Sequence, residues 1–310
     1  MALTIRVSGC KVIVLALMQN RLLIHGALLL VGLIYGANYL IAKLAMPDYF
    51  SPFAFIVLRV SVATGLFWLL DALVAKKEQV AREDMKRLFV CAIFGVAVNQ
   101  LCFFSGLNCT SPVNASLIMT LVPAIVMVVS YFVLRESVGW QKLLGLGLGM
   151  LGAVLLVFSK EAATASTSFL GDLFIFINAS SYSTYLVIVK PLMKKYRSLT
   201  VIKWVFLFGL PMVIPFGFYD VQAVAWAELP AFAWYSLAFV IIGTTFLAYL
   251  LNAWSLSFVN ASVVGIYIYV QPVFAGMLTI ALGYEDFSWY KLLLGLLIFA
   301  GVFLVSNKRS

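Results

Sequence analysis

The chain has 310 residues, 64% of them hydrophobic and 11% charged, with a mean hydropathy of +1.07. Soluble domains carry about 25% charged residues, so the composition excludes an ordinary soluble domain and describes a polytopic membrane protein. The formal net charge of +9 is no nucleic-acid signature, because most of the 21 lysines and arginines sit in short connections between apolar stretches.

Residues 1–21 are weakly apolar, carry Arg6 and Lys11, and are too short to cross a bilayer. Leu17-Met-Gln-Asn-Arg21 offers no small-residue cleavage site. The segment reads as an N-terminal extension, either a leader or the result of a true start at Met18. Ten apolar spans follow, at 22–45, 51–75, 88–107, 113–134, 141–159, 170–192, 199–219, 231–252, 260–283 and 290–306. Their connections are short, so successive helices should be antiparallel neighbours.

Placing the N-terminus inside puts 17 of the 21 basic residues on the cytoplasmic side. These are Arg6, Lys11, Arg21, Lys76, Lys77, Arg82, Lys86, Arg87, Arg135, Lys142, Lys190, Lys194, Lys195, Arg197, Lys203, Lys308 and Arg309. The expectation is a protein of the cytoplasmic (inner) membrane with both termini cytoplasmic.

The chain repeats itself. Pro123/Pro272, Glu136/Glu285, Trp140/Trp289, Lys142/Lys291 and Gly152/Gly301 are each 149 positions apart. Upstream, Val113-Asn-Ala-Ser and Val259-Asn-Ala-Ser match at an offset of 146. The domains read as residues 22–159 for the first unit, 160–169 for a linker and 170–310 for the second. Each unit holds five spans, an odd number, so the second enters the bilayer from the opposite side. The predicted fold is therefore all-α, ten transmembrane helices arranged as two inverted five-helix repeats. Alternating-access carriers are built this way, with the site near the midplane.

Arg59 is the one charge well inside a span, and an intramembrane charge is a functional hypothesis. Two readings stay open: its guanidinium holds a substrate carboxylate, or it snorkels outward or caps backbone carbonyls. Lys43 and Lys190 correspond in the two units and read as snorkelling residues. No Asp or Glu stands deep in a span; Asp48, Asp71, Asp172, Glu136, Glu285 and Asp286 fall at span ends. Exchange of protons for cations through a buried carboxylate has no visible residue to carry it. Glu136 and Glu285 read as structural partners of Lys142 and Lys291.

Polar and aromatic residues recur at steps of three, four and seven, which places them on single helix faces. The candidates for substrate binding are Tyr35, Asn38 and Tyr39 in the first span, Arg59 in the second, and Asn99, Gln100 and Phe103 in the third. The fourth gives Ser116, Met119 and Thr120, and the sixth Asn178, Ser181, Tyr182 and Tyr185. Thr245 and Tyr249 come from the eighth span, Tyr267 and Gln271 from the ninth. Lipid does not tolerate unpaired amides. These faces therefore turn inward, partly for interhelical hydrogen bonds and partly to line a cavity for a neutral, zwitterionic or weakly anionic solute. Pro123 and Pro272 break matching helices and are candidate gating kinks.

Tyr35-Gly-Ala-Asn38 with Lys43, Pro123…Glu136…Gly152, Tyr182-Ser-Thr-Tyr185 with Lys190, and Pro272…Glu285…Gly301 together resemble the EamA-type, ten-helix branch of the drug/metabolite transporter superfamily. The likeness covers nearly all of the chain after residue 21 and departs from the pattern where Tyr185 stands in place of Asn38. It implies a secondary carrier of small metabolites, with amino acids the expected class, and an organic-anion or phosphate-ester exchanger the alternative. An integral membrane enzyme is the remote alternative: the single histidine, His25, is placed at the mouth of the first span, and no acidic cluster is present.

The remaining motifs carry less. Gly147-Leu-Gly-Met-Leu-Gly152 fits a dinucleotide pattern but lies inside an apolar span, not after a strand. Gly145/Gly149 and Gly32/Gly36 read as close helix packing. Cys10, Cys91, Cys102 and Cys109 show no paired spacing and read as free thiols, so no metal site or cofactor is expected. The expected partners are a small-molecule substrate and the lipid bilayer, without nucleic acid. The sequence does not set the oligomeric state, and a monomer is compatible with it.

Overall fold

The computed structural model describes residues 3–46, 48–73, 78–110, 112–136, 138–158, 168–281 and 289–306. Lys76, Lys77, residues 160–167 of the linker, Glu285, Asp286, Lys308 and Arg309 lie outside them. Among the described residues the chain is helical, with no strand. In chain order the ten helices are α1 (Leu3–Ala45), α2 (Pro52–Leu73), α3 (Arg82–Cys109), α4 (in two pieces, Pro112–Met119 and Val122–Leu134) and α5 (Trp140–Phe158). The second set is α6 (Phe169–Lys195), α7 (Ser198–Gln222), α8 (Ala231–Phe258), α9 (Ala261–Ile266, Tyr267–Tyr269 and Val270–Ala281) and α10 (Trp289–Ser306).

Six of these are long and apolar enough to cross a membrane, namely α1 from Arg21, α2, α3, α6, α7 and α8, and shorter apolar helices lie at Val122–Leu134, Ala261–Phe274 and Leu292–Val305. Large apolar side chains point outward from the bundle: Phe132 and Leu73 are each 75% exposed. In water such a surface would be unstable; against hydrocarbon it is the solvated face. Trp140 and Trp289, corresponding residues at the first turns of α5 and α10, are likewise exposed, as interfacial indoles are.

The membrane-crossing part of the first helix begins at Arg21, but the helix itself is longer. It runs unbroken from Leu3 to Ala45, 43 residues, so residues 3–21 continue the helix of the first span. At 1.5 Å per residue this is roughly 64 Å, about twice the hydrocarbon thickness.

Connections group at the two ends of the bundle. At the lower end, Lys195 pairs with Asp84 at 2.5 Å, Arg197 N–H donates to Glu78 at 2.9 Å and Ser262 Oγ donates to Glu136 at 3.1 Å. Glu136 thus has a partner in α9 that its spacing from Lys142 did not suggest. At the upper end, Ser51 Oγ donates to Asp220 at 2.5 Å and Thr110 Oγ1 to Asp172 at 2.5 Å.

Helix pairs α2–α7, α5–α10 and α3–α6 join the first five helices to the second five. Glycine permits the closest approaches. A Cβ at Gly217 would stand 2.3 Å from the Phe53 carbonyl oxygen, and one at Gly301 2.6 Å from that of Gly145. The expected packing role of Gly145 and Gly149 is what the α5–α10 contact displays; Gly32 meets Val270 at an ordinary 3.6 Å.

Two basic residues expected to snorkel do something else. Lys43 Nζ donates to the carbonyls of Leu107 (2.7 Å), Asn108 (3.2 Å) and Thr110 (3.3 Å), which have no helical partner at the end of α3. Lys190 Nζ donates to the carbonyls of Leu256 and Val259 at the end of α8. An ammonium supplies several donors at once and is stabilised by the negative end of the helix dipole.

Asp71 stands in the last turn of α2, at the span end as expected, and is buried there. It is 7% exposed, and Lys203, 6% exposed, sits 2.5 Å away, with Arg197 at 3.6 Å and the Trp68 ring 4.8 Å from Lys203 Nζ. A residue read as terminal from α2 alone is buried because α7 covers it.

Candidate functional site

Thirteen residues line one mid-bundle cavity of about 70 Å³. They are Tyr35, Asn38 and Tyr39 of α1, Arg59 of α2, Asn99, Gln100 and Phe103 of α3, Met119 of α4, Asn178 and Tyr182 of α6, Tyr249 of α8, and Ile268 and Gln271 of α9. Twelve of the thirteen stand on the inward faces picked out by helical spacing; Ile268 does not. It is 149 positions from Met119, and each precedes its proline by four. That repeat offset is the signal that would have found it.

The remaining sequence candidates stand behind the lining or beside it. Thr245 supports Arg59, and Ser181 Oγ donates to the Phe94 carbonyl at 2.6 Å. Tyr185 packs where a Cβ on Gly95 would fall, 2.5 Å from its ring, and borders a smaller space shared with Tyr35, Tyr182 and Asn252. Tyr267 hydroxyl meets His25 Nδ1 at 2.6 Å. Thr120 is buried at the break in α4 and Ser116 is half-buried one turn above it.

Arg59 is 3% exposed. Nε donates to Thr245 Oγ1 at 2.7 Å, Nη2 donates to Thr244 Oγ1 at 3.2 Å, and Cζ lies 4.8 Å from the Phe104 ring centroid. Both threonine hydroxyls donate to the Val240 carbonyl at 2.7 Å, which turns their lone pairs toward the guanidinium. Arg59 therefore neither snorkels nor caps backbone carbonyls. No carboxylate pairs with it among the described residues. A guanidinium has N–H groups to spare beyond these two bonds.

The sequence periodicity did not reveal the winding of α3 and α8. Ile93–Ala97 and Phe239–Leu247 are π-helical. The two stretches overlap when shifted by 149 positions. Widened turns of this kind loosen the backbone ladder at functional places. Here Phe94 and Gly95 offer carbonyls to Ser181 and to Tyr249, whose hydroxyl donates to Gly95 at 3.0 Å. Gln100 Nε2 donates to the same hydroxyl at 2.6 Å. Tyr39 hydroxyl donates to Gln271 Oε1 at 3.5 Å across α1 and α9.

Both prolines do more than kink. α4 is interrupted at Thr120–Leu121 and α9 tightens to a 3₁₀ turn at Tyr267–Tyr269, each just ahead of its proline. The ring excludes the carbonyl four residues back, which is that of Met119 or Ile268. Below the breaks, Val122–Leu134 packs on Ala261–Ile266; above them, Pro112–Met119 leans on α6 and Val270–Ala281 on α1. The lower halves of α4 and α9 meet, and the upper halves part.

A multi-pass helical bundle with broken helices around a mid-bundle polar cavity has the anatomy of a membrane transporter. The chain belongs to the EamA-like transporter family, which matches it twice, at residues 22–158 and 169–307. It is 25% identical over 276 residues to a Bacillus subtilis protein named uncharacterized transporter YyaM, spanning 88% of this chain and 90% of that one. It is 25% identical to Protein WALLS ARE THIN 1 of Arabidopsis thaliana, over 94% and 84% of the two chains. An uncharacterized transporter of Archaeoglobus fulgidus is 25% identical over 92% of this chain and 98% of the other. A crystal structure 18% identical superposes with a TM-score of 0.71 over 92% of this chain and 96% of the other, a likeness of fold. The protein is a multi-pass membrane transporter of a small substrate.

Proposed function

We propose that the protein carries an amino acid across the cytoplasmic membrane by alternating access, as a secondary transporter and not an enzyme. The observation that carries the substrate reading is Arg59: a buried cation at the cavity, held from behind by two threonines and paired with no carboxylate among the described residues. A charge so placed is costly unless an anion joins it. A substrate carboxylate received on the remaining N–H groups meets that need. The tyrosine, phenylalanine and methionine walls suit an apolar or aromatic side chain.

Two matches to one family unit, joined head to tail, support an inverted pair of five-helix halves with a pseudo-two-fold axis in the membrane plane. With both termini cytoplasmic, the lower end faces the cytoplasm. The meeting of α4 and α9 below the cavity and their parting above it then describes an outward-open state. The second half rocks against the first, and the breaks before Pro123 and Pro272 flex.

A phosphate-ester exchanger fits less well. Such a substrate calls for several cations, and Lys43, the next nearest in sequence order, is engaged by three carbonyls away from the cavity. Among the described residues no histidine or carboxylate lines the cavity to serve as a base; His25 is bonded to Tyr267, outside it.

The test is counterflow in proteoliposomes without an ion gradient, using a panel of labelled neutral and aromatic amino acids. Accumulation of at least one supports the carrier reading. Folded protein that exchanges none of them, but exchanges organic anions, moves the assignment to the anion class.

A further inference from the structure

The cavity is polar in two unlike ways. Its one cation is Arg59; its unpaired acceptors are amide oxygens. Asn178 is 2% exposed and Asn38 5%, and Oδ1 of each has no hydrogen-bond partner among the described residues. The orientation of Asn178 is set by its other atom, because Nδ2 donates to the Asn99 backbone carbonyl at 2.8 Å. A nitrogen in the place of Oδ1 would put oxygen against oxygen at Asn99. The atom left over is therefore an acceptor.

A buried acceptor left without a donor carries the full cost of its lost hydration. The side chains that carry these oxygens line the same cavity as Arg59, so a small molecule seated there lies beside all three residues. We propose that Asn178 Oδ1 and Asn38 Oδ1 receive the ammonium group of an α-amino acid whose carboxylate lies on Arg59. This rests on the carrier reading above and adds the group that sets specificity.

The chemistry of the pair fits that role. Amide oxygens accept from an ammonium without bringing a negative charge of their own. A simple amine therefore has no counter-ion in the cavity and meets Arg59 as a like charge. A simple carboxylate satisfies Arg59 and leaves two acceptors bare. Only the zwitterion answers both ends: its carboxylate pairs with Arg59 and stands between that charge and its own ammonium, which the amide oxygens receive. Sites built on buried hydrogen bonds reject analogues that lack the bonding group far more strongly than apolar pockets reject a missing methylene.

The probes are L-phenylalanine, 3-phenylpropanoate, which lacks the amino group, and phenethylamine, which lacks the carboxylate. Each is tested for exchange and as a competitor of labelled phenylalanine in counterflow. Wild-type protein should prefer phenylalanine to 3-phenylpropanoate by about 10- to 100-fold. Asn178→Leu should cut that preference to within about threefold, by weakening phenylalanine much more than 3-phenylpropanoate. An undiminished preference in Asn178→Leu overturns the proposal while the carrier reading stands.

Asn38→Asp gives an independent readout if Asn178→Leu does not fold. A carboxylate there should strengthen inhibition by phenethylamine about tenfold; unchanged inhibition counts against the ammonium site. Wild-type exchange of 3-phenylpropanoate without any amino acid of the panel overturns the amino-acid reading and this inference together. No exchange of any of the three, nor of any other amino acid of the panel, by folded protein does the same.

Discussion

Gln100 Nε2 donates to the Tyr249 hydroxyl at 2.6 Å, and the two residues are 149 places apart, the spacing that separates Pro123 from Pro272. A residue that touches its own counterpart stands at the symmetry axis relating them. In the proposed inverted repeat, this pair marks where the pseudo-two-fold passes through the cavity wall. Lys43 holds the carbonyls of Leu107 and Thr110; Lys190, 147 places on, holds those of Leu256 and Val259, each 149 places on from the first pair.

Tyr249→Phe should therefore cost more than one hydrogen bond. It leaves Gln100 without its acceptor and the Gly95 carbonyl without its donor, both buried. The expected loss is about 1–3 kcal/mol, read as a lowered midpoint of thermal unfolding in detergent. Combined with Gln100→Leu, the double variant should lose less than the sum.

Lys190→Met removes a buried ammonium from two carbonyls at the end of α8. Charged hydrogen bonds contribute about 1.5–3 kcal/mol each at most. The unfolding midpoint should fall further for Lys190→Met than for Lys43→Met, since Lys43 is only partly buried.

Asp71→Asn leaves Lys203 buried beside Trp68 without its carboxylate. Breaking one partner of such a pair costs about 3–5 kcal/mol. Replacing both, as Asp71→Asn with Lys203→Met, should restore much of that stability, because the unpaired charge is gone. Equal instability of the single and double variants would show that the pair is not what holds α2 to α7 there.

Glycines give opposite signs in one experiment. At Gly301 a methyl group meets the Gly145 carbonyl oxygen at 2.6 Å, backbone that cannot step aside, so Gly301→Ala should destabilise by about 1–3 kcal/mol. At Gly65 nothing lies within 4 Å, so Gly65→Ala should stabilise α2 by up to about 1 kcal/mol.

The helical steps of polar side chains made most of the cavity legible, because lipid forbids such faces from turning outward. Arg59 was ambiguous from α2 alone; its answer lies in Thr244 and Thr245, 185 and 186 positions away. Lys43 and Lys190 were misread for a similar reason. Their partners belong to helices remote in sequence, and position along one helix says nothing about what covers it. The π-helical turns were hidden because hydrophobic periodicity does not record one extra residue per turn. Ile268 was missed because its apolar side chain breaks the polar pattern, although the repeat offset from Met119 pointed to it.

The most direct measurement is amino-acid counterflow by wild-type and Arg59→Gln protein reconstituted side by side, each shown to be folded. Glutamine keeps hydrogen-bonding groups in reach of Thr244 and Thr245 while removing the charge. The account predicts wild-type exchange of a neutral or aromatic amino acid and a loss of about 100-fold or more in Arg59→Gln. Exchange at wild-type rate and affinity in Arg59→Gln would contradict it, because the cavity's one cation would then have no part in holding the substrate.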